Sequence, residues 1–416
     1  MAEVLELAER AWQGELEETQ VHPGRALVGF EELAPGVGFM SAFSNVAAFE
    51  TGEGLVFLDT SSFFHARKLH EAIRRWTPAP LHTAVYTHGH VDHVFGLGPF
   101  EEEAAEKGLP TTRVLAHHAC PARFERYVLT NGYNAIINQR QFGFPQAVFP
   151  KEYRQPDETV GDGHVIRVGD VTFELFHDKG ETDDHLWIWV PAEKTIYTGD
   201  LFIWASPNCG NPQKAQRYPR EWAHALRRMQ ALGAERLLPG HGPPILGRDR
   251  VSRALDETAR LLETLVDQTL AMMNEGARLD DVLHAVQLPE ELLTRPYLRP
   301  SYDDPRFIVR NLWRLYGGWY DGNPSHLNPA PDGDLAVEMA GLAGGAGPLA
   351  RRAESLAAEG RLDLACHLAE WAVQAAPSDR EAQGIRAAIY RERAKRETSL
   401  MAQGVYNAAA REGEPG

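Results

Sequence analysis

Thr87-His88-Gly89-His90-Val91-Asp92-His93 places three imidazoles and a carboxylate within six positions. A short apolar, β-leaning run, Thr83-Ala84-Val85-Tyr86, leads into it, and Val94-Phe95-Gly96-Leu97-Gly98 follows. In an extended segment residues two apart point the same way, so His88, His90 and Asp92 project from one side of the chain, and a turn at His93 adds another nitrogen. Neutral imidazole nitrogen and carboxylate oxygen are the donors Zn²⁺ takes at about 2.0 to 2.2 Å, and they suit Fe or Mn as well. One ion cannot easily use all four from so short a loop. The spacing therefore points to two neighbouring ions, His88 with His90 on one, and Asp92 with His93 on the other.

The H-x-H-x-D-H pattern resembles the signature of the metallo-β-lactamase superfamily, in which two β-sheets are sandwiched between helices and the metals sit at one edge. The resemblance implies further ligands downstream, and the chain offers them in the expected order. In His177-Asp178-Lys179-Gly180-Glu181-Thr182-Asp183-Asp184-His185 most of the superfamily has a His ligand where Glu181 stands. That substitution resembles the alkyl sulfatase branch; His177 and His185 are the competing candidates in the stretch. The strand Thr195–Thr198 delivers Gly199-Asp200, whose carboxylate the resemblance puts between the two ions. Arg236 to Gly242 is a strand ending at His241, the expected last ligand. Carried over by position, His88, His90 and Glu181 hold the first ion, Asp92, His93 and His241 the second, and Asp200 bridges them. Asp59 is implied to support the metal loop by hydrogen bonding, unless it caps the helix that follows. His117 and His118, adjacent at the end of a strand, look like ligands, but strand neighbours face opposite sides, so they read as pocket or core histidines before metal ligands.

Composition bounds the rest. The chain has 416 residues, 43% hydrophobic and 24% charged, enough for two domains. A formal net charge of -16 argues against nucleic acid, because phosphate binding needs clustered Lys and Arg. Three widely spaced cysteines, Cys120, Cys209 and Cys366, fit a reducing compartment. Glu3, Glu6 and Glu9 stand where a signal peptide would be apolar, and no run reaches the roughly 18 apolar residues of a membrane span. These features predict a cytoplasmic protein without a membrane partner.

Residues 1–20 read as an amphipathic helix, and strands are expected at 26–30, 38–43, 45–49 and 55–59. The stretch 120–150, with aromatics among Asn, Gln and Arg, reads as an irregular, lid-like insertion. Beyond Gly247 the pattern is helical. Pro305 to Pro324, rich in Trp and Tyr, resembles the start of the alkyl sulfatase dimerisation domain and is expected to be buried between domains or subunits. The fold expected is an α/β metallo-β-lactamase αββα sandwich over 1–247, with a helical extension over 1–24. An all-α dimerisation domain over 248–403 and a flexible tail over 404–416 follow.

The resemblance implies a dinuclear hydrolase with two zinc ions, Fe or Mn being possible, acting on a small-molecule sulfate ester as a homodimer. Asp92 and Asp200 are its catalytic candidates. Asn208, Arg217, Tyr133 and Asn134 are the candidate substrate contacts, because Leu201 to Asn211 lacks the His and Arg that the family places after the bridging acid. Hydrolysis of a lactone, thioester or β-lactam on the same metals, or a di-iron redox site, are the alternatives.

Overall fold

The computed structural model describes residues 3–16 and 29–412. The expected strand at Ala26 therefore begins outside the described residues, as do both ends of the expected 1–20 helix and positions 413–416. Within them the N-terminal helix is α1, Glu3–Trp12.

Two sheets carry the N-terminal half. In the first, β1 (Gly29–Ala34), β2 (Val37–Ser41), β3 (Val46–Thr51) and β4 (Gly54–Leu58) form an antiparallel meander. Parallel strands β5 (Leu81–Val85), β6 (Arg113–His117) and β7 (Glu158–Val160) complete it. In the second, β8 (Gly163–Val168), β9 (Val171–His177), β10 (Leu186–Val190) and β11 (Thr195–Ile203) run antiparallel. β12 (Arg236–His241) lies parallel to β11, with β13 (Ile245–Leu246) at the edge.

The period of two along a strand decides which residues meet. Val56 and Leu58 face the second sheet, in one core with Phe39, Phe49, Phe173, Leu175, Ile188 and Tyr197. Phe49 and Phe173 meet edge to face there at 5.4 Å. Leu55 and Phe57, on the other face of β4, pack with Leu69 and Ile73 of α2 (Ala66–Trp76), Phe100 of α3 (Gly98–Lys107) and Phe124 of α4 (Cys120–Leu129). Because both faces of β4 are covered, all five of its residues are buried, as its unbroken apolar run requires. Each such Leu or Phe contributes about 1.5 to 3 kcal/mol of burial. The parallel strands all end on one edge of the sheet, where their loops are free to carry chemistry.

The chain divides into two compact units. The first holds the described residues up to Asn131, with Phe149–Gly276 and Asp281–Gly317. Helices α6 (Pro219–Ala231) and α7 (Arg248–Asn274) belong to it. The expected boundary at Gly247 does not divide the units, because the apolar face of α7, with Leu255, Leu262 and Leu265 buried, lies along α6. Arg227 of α6 ties the two with ion pairs to Asp256 and Glu263. Short helices α8 (Leu279–Ala285) and α9 (Glu290–Leu293) precede α10 (Pro305–Gly317), whose Ile308, Leu312 and Trp313 are buried. The aromatic segment is only partly covered within one chain: Tyr316 is 43% exposed and Trp319 69%.

The second unit contains residues 132–148, 277–280 and 318 onward. The stretch 120–150 is helical as far as Phe142 and without regular structure beyond it. Its helices are α4 and α5 (Asn131–Phe142), and all of α5 beyond Asn131 belongs to this second unit. Helices α11 (Asp332–Leu342), α12 (Ala346–Ala358), α13 (Leu362–Ala375) and α14 (Arg380–Arg396) pack through small residues, Ala353, Ala365 and Ala369, against Leu356, Leu362 and Ile389. Gly360, at φ +82°, turns the chain between α12 and α13 while Arg361 N–H returns to the Leu356 carbonyl at 2.9 Å. Residues 404–412, expected as a frayed tail, lie in a helix, α15 (Leu400–Glu412), with Met401, Ala402 and Ala410 buried. This helix comes against α5 at Gly404: a Cβ there would strike the backbone of Gln141, so only glycine allows so close an approach.

Candidate metal centre

The loop after β5 is held from below by Asp59, at the end of β4. Its Oδ1 accepts the Thr87 N–H at 2.7 Å and its Oδ2 the Thr87 hydroxyl at 2.9 Å. The same Oδ2 takes His93 Nδ1 at 2.7 Å and the Tyr197 hydroxyl at 3.1 Å. Asp59 therefore supports the loop and caps no helix; Ser62 and His65 occupy the cap positions that follow. Its φ of +58° is a left-handed conformation that four hydrogen bonds keep in place.

The same device fixes the other rings. His88 Nδ1 lies 3.0 Å from the Thr87 hydroxyl, and His241 Nδ1 donates to the Phe43 carbonyl. With Nδ1 engaged, His88, His93 and His241 each turn Nε2 towards the centre. Asn45 anchors the strand carrying His241, donating to the Pro239 carbonyl at 2.9 Å and the Gly242 carbonyl at 2.8 Å.

Two groups of donors result, each with all its ligand atoms within 4.8 Å of one another. One is His88, His90, Glu181 and Asp200; the other is Asp92, His93 and His241. Asp200 lies between them, with its carboxylate 3.3 Å from His93 Nε2, 3.3 Å from His241 Nε2 and 3.8 Å from His88 Nε2. All seven positions singled out in the sequence are thus brought to one edge of the sandwich. Gly199 and Gly240 make room: a Cβ on Gly199 would sit 2.7 Å from His185, and one on Gly240 would strike Asp200.

The electrostatics call for cations. Two like charges 4 Å apart at an effective dielectric of about 20 repel by about 4 kcal/mol. Burial pushes the Glu181 carboxyl up to about 8, against the pull of Arg217. Burial would also lower His241, but Asp200 and Asp92 outweigh it and hold the imidazole up at about 10. Asp200 is held well below the carboxylate range, because His241 and His93 overcome its burial. Glu181 Oε2 and Asp200 Oδ1 are buried without a hydrogen-bond partner. Orphaned carboxylate oxygens beside imidazole nitrogens are a donor set suited to divalent ions, so the residues fit the metals that the sequence implies.

Arg217 and Asn208 are built into this centre. Both are buried, Asn208 Nδ2 reaches Glu181 Oε1 at 2.6 Å, and the Arg217 guanidinium donates to the same oxygen and to the Asn208 carbonyl. Burial next to Arg217 lowers Lys214 to about 8. Tyr133 and Asn134 stand on α5 in the second unit, Tyr133 61% exposed and Asn134 buried, its carbonyl accepting from Asn138.

His185, a competing ligand candidate in the sequence, is not a ligand here, and Asp184 and Tyr302 went unremarked. His185 stacks on His88 at 4.7 Å and accepts the Asp200 N–H at 3.1 Å, so it orients the centre and is in neither donor group. Asp184 accepts the Gly89 N–H at 2.9 Å and Arg123 Nε at 2.7 Å. Burial raises the Tyr302 phenol, and the carboxylates of Glu181 and Asp92 add to it, which puts this tyrosine beside the centre. For Asp184 the local signal was the acidic doublet Asp183-Asp184 after the Gly-Glu-Thr turn.

Comparison with known proteins places these features. The family model described as metallo-beta-lactamase superfamily matches residues 42–241, and that for alkyl sulfatase dimerisation matches residues 278–416. A linear primary-alkylsulfatase of a Pseudomonas sp. is 26% identical over 370 residues, 82% of this chain and 69% of that protein. An (R)-specific secondary-alkylsulfatase of a Pseudomonas sp. is 24% identical, over 83% of this chain and 56% of its own length. An alkyl/aryl-sulfatase of Saccharomyces cerevisiae is 23% identical, over 82% of this chain and 57% of its own. This chain thus spans little more than half the length of the latter two. The solved structure of a stereoselective inverting sec-alkylsulfatase from Pseudomonas sp. superposes with a TM-score of 0.81 at 23% identity, covering 93% of this chain and 66% of that one.

Proposed function

From a chain that belongs to the metallo-β-lactamase superfamily, in its alkyl sulfatase-like branch, we propose a dinuclear-metal hydrolase that cleaves the sulfate monoester of an alcohol. The observation that carries the proposal is the buried Arg217 and Asn208 converging on Glu181, a cation and an amide donor beside the two donor groups. A guanidinium offers paired N–H donors that match the oxygens of a sulfate.

His88, His90 and Glu181 would hold one ion, Asp92, His93 and His241 the other, and Asp200 both. Zinc suits this donor set, and Fe or Mn are the alternatives. Such a pair supplies Lewis acidity and a hydrolytic nucleophile near neutral pH. The chain does the rest. Asp59, Thr87 and the Phe43 carbonyl fix the ring tautomers, and His185 pins the backbone of Asp200. Arg217, Asn208 and Lys214 form the polar wall for the anionic end of the ester. Cys209 and Trp204, both buried next to this segment, keep bulk water out.

The helical region matching the dimerisation model, with Trp319 and Tyr316 exposed in a single chain, supports a homodimer. Among the described residues no helix is long and apolar enough to cross a membrane. The three cysteines are free, which supports placement in the reducing cytoplasm.

The test is an ester panel on metal-loaded protein: primary and secondary alkyl sulfates, lactones, thioesters and a β-lactam, with inorganic sulfate measured directly. Sulfate release from an alkyl sulfate supports the reading. Turnover confined to a lactone or thioester would replace it, and would assign the altered segment after Asp200 to a different ester.

A further inference from the structure

A third set of donors lies outside the centre. One ring nitrogen each from His117 and His177 and a carboxylate oxygen of Asp162 all lie within 4.8 Å of one another. They come from three separate places in the sandwich. His117 ends β6 in the first sheet, His177 ends β9 in the second, and Asp162 precedes β8, its carbonyl accepting the His177 N–H at 2.9 Å.

Two features point to a ligand. The His117 side chain is buried, with only 2% of the residue exposed, and its Nε2 has no hydrogen-bond partner. A buried polar atom of this kind is uncommon, because it gives up water and gains nothing in return. His177 is prepared in the same way as the rings of the main centre: its Nδ1 donates to the His185 carbonyl at 3.0 Å, which leaves the lone pair on Nε2. We propose that His117, His177 and Asp162 form a separate binding site for a divalent transition-metal ion.

Two nitrogens and one oxygen suit zinc, and nickel or copper more strongly still, with water completing the shell. His118 is exposed, its ring 4.0 Å from that of His117, and offers a further imidazole. The rings of His117 and His177 now stack in parallel, 3.8 Å apart at 8°. Stacked rings do not converge on one point, so an ion is seated by turning one of them. His117 has little to lose in such a turn, since the Ala119 N–H reaches its Nδ1 only at 3.3 Å. Burial and the neighbouring imidazoles of His177 and His118 lower His117 to about 4, so at neutral pH no proton need be displaced from it. With Asp162 exposed at its rim, this site is open to solvent and is expected to bind more weakly than the main centre.

The experiment is a titration of chelator-stripped full-length protein with Ni²⁺ and, separately, Zn²⁺, counting ions bound per chain for the wild type, His177→Ala and Asp162→Asn. Asp162 is exposed, so Asp162→Asn keeps the test valid if His177→Ala folds poorly. The expected result is one equivalent fewer in His177→Ala, and that same equivalent weakened by at least about tenfold in Asp162→Asn. Because the comparison is a difference of one, it holds whatever total the main centre contributes. Equal stoichiometry and affinity in the wild type and Asp162→Asn would overturn the proposal.

Discussion

The Gly89 N–H donates to Asp184 Oδ2 at 2.9 Å, joining the middle of the histidine loop to the turn that carries Glu181. The other oxygen of Asp184 holds Arg123 Nε at 2.7 Å, so a buried ion pair fixes the carboxylate that joins the two ligand-bearing loops. Asp184→Ala leaves Arg123 buried without this carboxylate and is expected to cost about 3 to 5 kcal/mol in chemical denaturation. Asp184→Asn keeps an acceptor for Gly89. It is expected to fold, with metal affinity lowered about 10- to 100-fold in a competition titration.

Asp59→Ala strips the Thr87 N–H, the Thr87 hydroxyl, His93 Nδ1 and the Tyr197 hydroxyl of one common acceptor. Each buried donor left unpaired costs about 1 to 3 kcal/mol. The variant is expected to lose metal together with stability, as read by elemental content and urea unfolding. An Asp59→Ala protein with full metal content would mean that His93 needs no such support.

Gly199 stands at φ +48°, and a Cβ there would lie 2.7 Å from His185 and 2.8 Å from the Thr87 hydroxyl. Gly199→Ala is expected to destabilise by about 1 to 3 kcal/mol and to move His185 off the Asp200 N–H. A thermal scan measures the first effect, and the imidazole NMR signals of His185 the second.

His117 gives a pH dependence. Burial, with His177 and His118 nearby, lowers it from 6.5 to about 4, so the folded protein holds it neutral. The stability this contributes is fully present above pH 6.5, is lost as pH falls towards 4, and changes no further below that. The full loss is roughly 3 kcal/mol at 1.36 kcal/mol per pH unit. Unfolding free energies of chelator-treated protein between pH 7 and 4 are expected to fall less steeply in His117→Gln than in the wild type.

The sequence carried the centre because its ligands are local. His88 to His93 lie in one loop; Glu181 follows a strand, Asp200 lies within one and His241 ends one, each with glycine beside it. What it did not carry are relationships between distant segments. Arg123 and Asp184 are 61 positions apart, and neither residue's surroundings name the other. The apolar face of α7 could be read from its period, but a period says only that a face is buried and not against what, so its packing with the first compact unit was not legible. The helix over Leu400–Glu412 was missed for a similar reason, since the packing of Gly404 against the backbone of Gln141 joins segments far apart in the chain.

Elemental analysis of purified, untagged protein, paired with the same analysis of Asp200→Ala, tests the central claim most directly. The account expects two divalent ions per chain at the main centre in the wild type, zinc foremost, and a clear loss from both positions when the shared carboxylate is removed. Hydrolytic activity that survives complete removal of metal, or an Asp200→Ala protein that keeps both ions and its full turnover, would contradict it.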